Sequence, residues 1–486
     1  MFPRNRNSFG GVAAFIYYAL PPALCVLLYR VAFTAWFQQD DFVWLMLQVD
    51  SFSSLVATLF VPTPHGTLRP FGDRGFFLLM KSVAGLHALP YHLVVFLFQI
   101  ANLALLASLV RRLTGFTSAG FLAAILWIVH PALVLPMVWI SGVYQVMGGF
   151  CFLVALRMFV SYAHAGRPRD LLWTWIAFLA GLGVIETMVV FPLMAALYAA
   201  FCARQRIRQS LLMAAVSTIF VVVRLAVIQP QRAGPYALHL DFSLMATLAA
   251  YWKAAVGDGG AVRLIVGGAV TVALAVFVIR RFRRRDFVPT ILLGWCLLAL
   301  GPVLPIRDHV TDYYLTVPLM GLAGLAAYAV TRAFEGPAAI AIPRRVVATV
   351  VVALNIVVSI DAVEFAARWW TLRSRRVETT FAAVVEANRR QPGRVILLEN
   401  VDNDLFWSCV LYRPFKLAGI RDVYLAPGSE AQVKITAGLP PLTDWMIAVP
   451  VALELQAANR LIVLRLVDDR FVDVTETWTV AGVPSA

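Results

Sequence analysis

The chain has 486 residues, of which 60% are hydrophobic and 14% are charged, and its mean hydropathy is +0.78. These values lie outside the range of water-soluble proteins. The formal net charge is +14, but most arginines fall in short clusters between apolar runs rather than on one solvated face, which argues against nucleic acid as a partner. The composition predicts an α-helical polytopic membrane protein in a lipid bilayer.

Apolar runs of about 20 residues, the length needed to cross a hydrocarbon core of ~30 Å, recur along the chain. We predict about eleven transmembrane helices from these runs. They lie near 11–35, 91–110, 118–139, 143–162, two within 171–202, 210–228, 261–279, 288–304, 313–331 and 346–364. The run at 171–202 is too long for one crossing, so it is divided at a tight turn that contains Glu186.

The arginine clusters predict the orientation, because cytoplasmic loops carry an excess of basic residues. With eleven helices the clusters fall on one side, which we assign to the cytoplasm. They are the N-terminus, 111–112, 167–169, 204–208, 280–285 and 332–345. The few lysines among the basic residues favour a bacterial chain. We therefore expect a multi-pass protein of the bacterial inner membrane, with the other face in the periplasm.

The composition changes near residue 365. We predict a transmembrane domain over 1–365, whose first extracytoplasmic loop at 36–90 carries the site, and a small soluble periplasmic α/β domain over 366–486. The loop includes an amphipathic helix at 75–88 that is typical of the membrane interface.

The predicted C-terminal domain begins with Arg368-Trp369-Trp370, an interfacial anchor that leads into a surface helix ending near residue 390. A buried strand follows at 394–398. The segments 461–466 and 471–474 are expected to form a hairpin.

Asp40 and Asp41 directly follow the first apolar segment. Two adjacent carboxylates in a partly dry site resist simultaneous ionisation, so one can act as a general base while the other orients a hydroxyl or a cation. The alternative is a pair of solvated loop residues. Asp40, Asp41 and His65 also offer ligands to a divalent cation, but no dedicated ligand spacing supports a metal. No other cofactor is predicted.

Four side chains are candidates for binding a phosphate on the periplasmic side. Arg69 lies in the first loop, and Arg307, His309 and Tyr313 lie where the ninth and tenth helices meet that side. Guanidinium, imidazole and phenol donors suit a phosphate leaving group, because negative charge builds on its bridging oxygen as the bond breaks. The alternative is that Arg69 and Arg307 anchor the chain at the interface.

His65, His130 and Glu186 are candidates for supporting the site. His130 precedes Pro131 near the outer end of the third helix, where a packing or capping role is the simpler interpretation. Glu186 lies beside a transmembrane turn, and an acid there is normally paired or functional.

Several segments together resemble a known family. In chain order they are Asp40-Asp41, His65-Gly66-Thr67-Leu68-Arg69-Pro70, Tyr91-His92-Leu93, Val129-His130-Pro131-Ala132-Leu133-Val134, Trp139-Ile140-Ser141-Gly142, Glu186 through Pro192, Gly301-Pro302-Val303-Leu304-Pro305, and Tyr313-Tyr314-Leu315-Thr316-Val317-Pro318. Over roughly 30–330 the chain resembles the GT-C membrane glycosyltransferases, particularly bacterial relatives of the transmembrane and tetratricopeptide O-mannosyltransferases.

This resemblance implies a sugar donor linked to polyprenyl phosphate, inverting transfer, and Asp40 as the general base. The acceptor is a glycan, a lipid or a protein, and the repeats that would hold a polypeptide acceptor are absent from the sequence. Two other classes stay open. A transporter or flippase for a lipid-linked sugar would need ionisable residues along a midplane pathway and usually inverted repeats. The other is a non-catalytic subunit of an envelope glycan assembly complex.

Overall fold

The structure is a computed structural model that describes residues 11–62, 68–228, 234–257, 260–335, 338–435 and 441–479. It divides into two compact units. The first comprises Met1–Ala32, Ser51–Phe76 and Pro90–Ala367. The second comprises Phe33–Asp50, Phe77–Leu89 and Arg368–Ala486, and therefore contains two pieces of the predicted first loop as well as the C-terminal residues.

The first unit consists of α-helices joined by short irregular segments. Its α-helices are Gly11–Tyr29, Phe52–Phe60, Ala88–Thr114, Thr117–Ile128, Val134–Val138, Val143–Ala165, Pro168–Leu182, Phe191–Cys202, Ile207–Val227, Ser243–Val256, Gly260–Arg283, Val288–Leu300, Thr316–Ala333 and the first part of Ala338–Arg390. The connecting 3₁₀ segments include Pro131–Leu133, Ile140–Gly142, Glu186–Val190, Gly301–Val303 and Asp312–Leu315, and Pro70–Gly75 is a π-helical turn.

Among the described residues, seven helices are long and apolar enough to cross a membrane, or eight if one bent pair counts as a single span. Two shorter apolar helices are Glu186–Cys202 and Val288–Val303. Each of the eleven predicted segments contains a helix, and the division of 171–202 at Glu186 is observed. The predicted helical polytopic class is confirmed, while the side of the membrane that each loop faces stays a prediction.

The third predicted helix is broken. Thr117–Ile128 and Pro131–Val138 meet at an angle of 65°. Pro131 has no N–H to donate and its ring clashes with the preceding turn, which favours a break at this point. The carbonyl of Ile128 instead accepts a hydrogen bond from the Tyr29 hydroxyl at 3.0 Å. A single straight helix over 118–139 was therefore wrong.

The last predicted span and the surface helix form one helix, Ala338–Arg390, of 53 residues. No glycine or proline occurs between Arg344 and Arg390, so nothing in the backbone chemistry ends the helix where the composition changes. It ends just before Pro392-Gly393, where Gly393 has a φ of +76°.

The interior of the first unit is packed closely through aromatic rings and glycines. Trp127 and Trp295 are fully buried, and Trp295 stacks on Phe152 with ring centroids 5.4 Å apart. The Trp127 indole donates to the Thr316 carbonyl at 2.9 Å. A Cβ at Gly321 would lie 2.7 Å from the Leu292 carbonyl oxygen, so helix Thr316–Ala333 approaches Val288–Leu300 as closely as a glycine allows.

The second unit is built on a four-stranded sheet with the order β2-β1-β3-β4. The strands are β1 (Val395–Glu399), β2 (Val423–Leu425), β3 (Leu461–Val467) and β4 (Arg470–Asp473). β1 pairs in parallel with β2 and β3, and β3 pairs antiparallel with β4. Its α-helices are Asp41–Leu45, Phe76–Ala84, the last part of Ala338–Arg390, Asn403–Ser408 and Val449–Ala457.

The predicted strand and hairpin are confirmed. Asp468 and Asp469 join β3 to β4 with φ values of +47° and +60°, the conformation of a tight turn that follows the twist of the strands. Leu397 in β1 and Leu461 and Val463 in β3 are buried with Trp478 in the core of this sheet. β2 was not predicted, because three residues are too few to show an alternating pattern.

Candidate active site

Two irregular segments of the first unit place Arg69 beside Glu186. The π-helical turn Pro70–Gly75 directly follows Arg69, and the 3₁₀ segment that begins at Glu186 follows helix Pro168–Leu182. The Phe71 N–H donates to the Gly183 carbonyl at 2.9 Å, which joins the segments. A Cβ at Gly72 would lie 2.5 Å from the Val184 carbonyl oxygen, so only glycine allows this approach.

Arg69 is the centre of a partly buried charge cluster. Its Nε donates to Glu186 Oε2 at 2.8 Å, and its Nη1 lies 3.5 Å from Asp73 Oδ2. Arg224 Nη2 lies 3.6 Å from Glu186 Oε1. Two guanidinium groups thus balance two carboxylates. The guanidinium of Arg69 stacks 3.8 Å from the ring centroid of Tyr144.

Arg69 keeps its charge in this environment. Burial on its own lowers the pKa of the guanidinium, but the neighbouring carboxylates of Glu186 and Asp73 raise the pKa well above its ordinary value. With Nε and Nη1 engaged, Nη2 is the guanidinium nitrogen of Arg69 that has no hydrogen-bond partner among the residues described.

Aromatic side chains extend from Arg69 to His309. The rings of Tyr144 and Tyr313 are 6.4 Å apart, and the Tyr313 hydroxyl lies 3.1 Å from His309 Nε2. Tyr236 packs on the imidazole with ring centroids 4.5 Å apart. The structure therefore brings four predicted site residues, Arg69, Glu186, His309 and Tyr313, into one chain of contacts.

His309 is a neutral group at neutral pH. Burial lowers the pKa of its imidazole from the ordinary value, and no acidic neighbour opposes this among the causes of the shift. The ring can therefore offer a hydrogen bond to an anion but not a full positive charge.

Arg307 pairs with acids other than those of this cluster. Its Nη1 is 3.7 Å from Asp241 Oδ2 and its Nε is 3.7 Å from Asp308 Oδ1, with 43% of the side chain exposed. Asp308 also accepts from His239 at 3.0 Å. At these distances and exposures the pairs are weak, so the Arg307 guanidinium is close to solvent.

His130 has the partners of a structural residue. Its Nδ1 accepts from the Ala132 N–H at 3.2 Å, which caps the segment Pro131–Leu133, and its Nε2 lies 3.3 Å from the Ala255 carbonyl. Both ring nitrogens are thus used to hold the broken helix.

Asp40 and Asp41 lie in the second unit and have different surroundings. Asp41 is fully buried, and its Oδ2 accepts from the Gln38 N–H at 2.9 Å. Asp40 precedes helix Asp41–Leu45 and is half-buried. Gln39, which directly precedes Asp40, has a φ of +54°, and its N–H donates to the Ser408 carbonyl at 2.8 Å. The neighbouring Gln38 side chain accepts from Arg373 at 3.2 Å.

Metal binding is not supported by a ligand cluster. Among the described residues no group of three or more His, Cys, Asp or Glu side chains could hold a metal ion. His65, which the sequence grouped with Asp40 and Asp41, lies outside the described residues.

Three residues of the Arg69 cluster were missed in the sequence. Arg224 interrupts an apolar run, and an arginine within a span is normally paired or functional, so it could have been found. Asp73 follows Arg69 by four residues, the spacing of neighbours on one helical face. Tyr144 follows the Trp-Ile-Ser-Gly segment and gave no sign of its role.

Comparison with solved structures shows the fold. The crystal structure of ArnT from Cupriavidus metallidurans bound to undecaprenyl phosphate is similar over 97% of this chain and 100% of that chain, with a TM-score of 0.50 and 13% sequence identity. No protein-family model and no curated protein matches the chain. The predicted GT-C-like fold, a helical membrane part with a small C-terminal α/β domain, is confirmed by this likeness.

Proposed function

We propose that this chain is an integral-membrane glycosyltransferase that transfers a sugar from a polyprenyl-phosphate-linked donor to an extracytoplasmic glycan, lipid or protein. The observation that carries the proposal is the likeness in fold to a protein that was crystallised with undecaprenyl phosphate. We further propose that the protein lies in a bacterial inner membrane with its site in the periplasm, as the arginine clusters predict.

The Arg69 cluster is the proposed site of the donor phosphate. The Nη2 of Arg69 can donate to a phosphate oxygen. The contact of Arg69 with Asp73, at 3.5 Å, is longer than its contact with Glu186, at 2.8 Å, so the phosphate replaces Asp73 when it enters. Tyr313 and the neutral His309 are hydrogen-bonded to each other, and together they have one proton left to donate. Glu186 holds Arg69 in position. Arg307, exposed and weakly paired, is proposed to attract the anion without holding it.

The proposed base is Asp40. Asp41 has one oxygen committed to the Gln38 N–H and is fully buried, which suits a residue that shapes the loop, whereas Asp40 is half-buried and reachable. The acceptor atom bonds to the anomeric carbon, and its proton passes to the Asp40 carboxylate. The bond between that carbon and the phosphate oxygen breaks, and polyprenyl phosphate leaves with the electron pair. Attack from the opposite face inverts the anomeric configuration.

Membranes that contain the protein test this proposal directly. They are incubated with a radiolabelled polyprenyl-phosphate sugar, and we expect label to move to an endogenous acceptor. Asp40→Asn should lower the rate by ~10²-fold or more, because it removes the base. Asp50→Asn, an exposed acid of the same unit, is the matched control and should leave the rate unchanged. If the Asp40→Asn variant transfers sugar at the wild-type rate, Asp40 is not the base.

The same experiment separates the alternatives. A flippase would move labelled donor across vesicles without breaking the sugar-phosphate bond, and a non-catalytic subunit would do neither. Adding EDTA to the transfer assay tests for a divalent cation. Failure of transfer with every polyprenyl-phosphate sugar, together with donor movement, would contradict the glycosyltransferase proposal.

A further inference from the structure

A cavity lies wholly within the second unit, in residues to which the proposed reaction gives no role. It has a volume of about 360 Å³. One helix supplies most of its lining, through Trp369, Leu372, Arg373, Arg375, Arg376 and Thr379. We call it the arginine cavity. One face of this helix carries positions 369, 372, 373, 376 and 379, which recur three or four residues apart. This face has apolar residues at its N-terminal end and arginines further along.

The arginines of the cavity differ in how they are held. Arg373 is almost fully buried and is fixed by Asp404, with Nε to Oδ1 at 2.7 Å. Arg376 is paired with two carboxylates, since its Nη2 lies 2.5 Å from Asp402 Oδ2 and its Nε lies 2.7 Å from Asp469 Oδ1. Arg373 and Arg376 are therefore fixed by acids, and neither is the cation that the arginine cavity offers to an anion.

Arg375 is the available cation. Its side chain is exposed, and its Nε donates to the Thr34 carbonyl at 3.2 Å. Within the described part of the chain it has no carboxylate partner. A guanidinium with remaining donors beside two other arginines matches a phosphate, which accepts several charge-assisted hydrogen bonds at once.

The apolar end of the cavity indicates what carries the phosphate. Trp369 and Leu372 are 47% and 65% exposed, although both are large and apolar. Trp369-Trp370 directly follows the apolar part of the helix, the position that tryptophan takes at the boundary of a bilayer. Arg375 lies six residues later, about 9 Å along the helix axis, which is within reach of lipid headgroups.

We propose that the arginine cavity binds the phosphate headgroup of an anionic membrane phospholipid. Arg375 holds the phosphate, while Trp369 and Leu372 contact the glycerol and the first acyl carbons. The site is independent of sugar transfer, since none of these residues belongs to the proposed reaction.

Native mass spectrometry of the full chain in detergent tests this site, with dioleoyl-phosphatidylglycerol as the probe. We expect Arg375→Gln to weaken binding by ~5-fold, the effect of one arginine near an anionic headgroup. Arg389→Gln is the matched control, since Arg389 is an exposed arginine on the same helix that is paired with Glu386. It should bind the lipid as the wild type does.

Two further probes distinguish the sources of the phosphate. Dioleoylglycerol, which lacks the phosphate, should bind more weakly and should not respond to Arg375→Gln. Soluble glycerol phosphate at millimolar concentration should not displace the lipid. Equal lipid binding by Arg375→Gln and Arg389→Gln would overturn the site, and displacement by glycerol phosphate would overturn its assignment to a lipid.

Discussion

Replacing Glu186 with glutamine tests whether the Arg69 cluster is held together by its charges. Glutamine keeps the size and shape of the side chain and removes one negative charge. Arg69 and Arg224 then face each other across a neutral amide, and Asp73 is left as the acid of the cluster.

The expected cost follows from the two contacts that change. The bond between Arg69 Nε and Glu186 Oε2, at 2.8 Å, is charge-assisted, and such a bond contributes about 1.5–3 kcal/mol. The contact with Arg224 at 3.6 Å is longer and contributes ~1 kcal/mol or less. Glutamine retains one neutral hydrogen bond, and Glu186 is 24% exposed. We therefore expect a loss of about 1–3 kcal/mol, below the full cost of breaking a buried pair.

The assay is unfolding in mixed micelles, in which sodium dodecyl sulfate is titrated into dodecyl maltoside and tryptophan fluorescence is followed. Glu386→Gln is the matched control, because Glu386 also bridges two arginines, Arg389 and Arg390, but in a solvent-exposed setting. Its unfolding midpoint should match the wild type. Equal midpoints for Glu186→Gln and Glu386→Gln would refute the assignment of the cluster as a partly buried structure that depends on its charges.

Two other substitutions are expected to act on separate features. Gly72→Ala should destabilise the first unit by about 1–3 kcal/mol, the usual cost of overpacking, because its Cβ would lie 2.5 Å from the Val184 carbonyl oxygen; the measurement is the same micelle titration. Asp402→Asn keeps the helix cap but loses the charge that pairs with Arg376. Burial raises the pKa of Asp402, but the hydrogen bonds from Arg376 and from the Leu405 N–H lower the pKa by more than burial raises it. The pKa of Asp402 is therefore below its ordinary value. The wild type should be more stable than the variant above about pH 4, and the difference should vanish at lower pH, as circular dichroism of the full chain would measure.

Each of these has an internal check. Gly301→Ala is the control for Gly72, since a Cβ at Gly301 meets nothing within 4 Å, and equal effects of the two would contradict the packing argument. For Asp402, a stability difference that does not shrink as the pH falls below about 4 would mean that the carboxylate charge is not its source.

The helices could be predicted because their apolar runs have the length that a bilayer requires, and this needs no knowledge of packing. The break at His130 was missed although Pro131 stands in the sequence, because proline is common within membrane helices and does not always break them. The joining of the last span to the surface helix was missed because a change of composition suggested a boundary that the backbone does not have.

The candidate residues could be found one by one, but their partners could not. Arg69 and Glu186 were each conspicuous in the sequence, yet they are 117 positions apart, and only helix packing brings Nε to Oε2. The same holds for Tyr144, which carries no charge and looks like an ordinary core residue. Arg307 shows the converse, since its place in the sequence suggested the phosphate site and its contacts are with Asp241 and Asp308.

The short helices of the first unit bear on how the chain enters the membrane during synthesis. Thr117–Ile128 and Val288–Leu300 have 12 and 13 residues, or about 18 and 20 Å, against a hydrocarbon core of ~30 Å. Neither is long enough to be released into lipid alone. Val288–Leu300 packs against Thr316–Ala333, which the ribosome makes later. The insertion machinery must therefore retain the earlier helix until its neighbour emerges, and a chain truncated between the two would be expected to lose this segment from the bilayer.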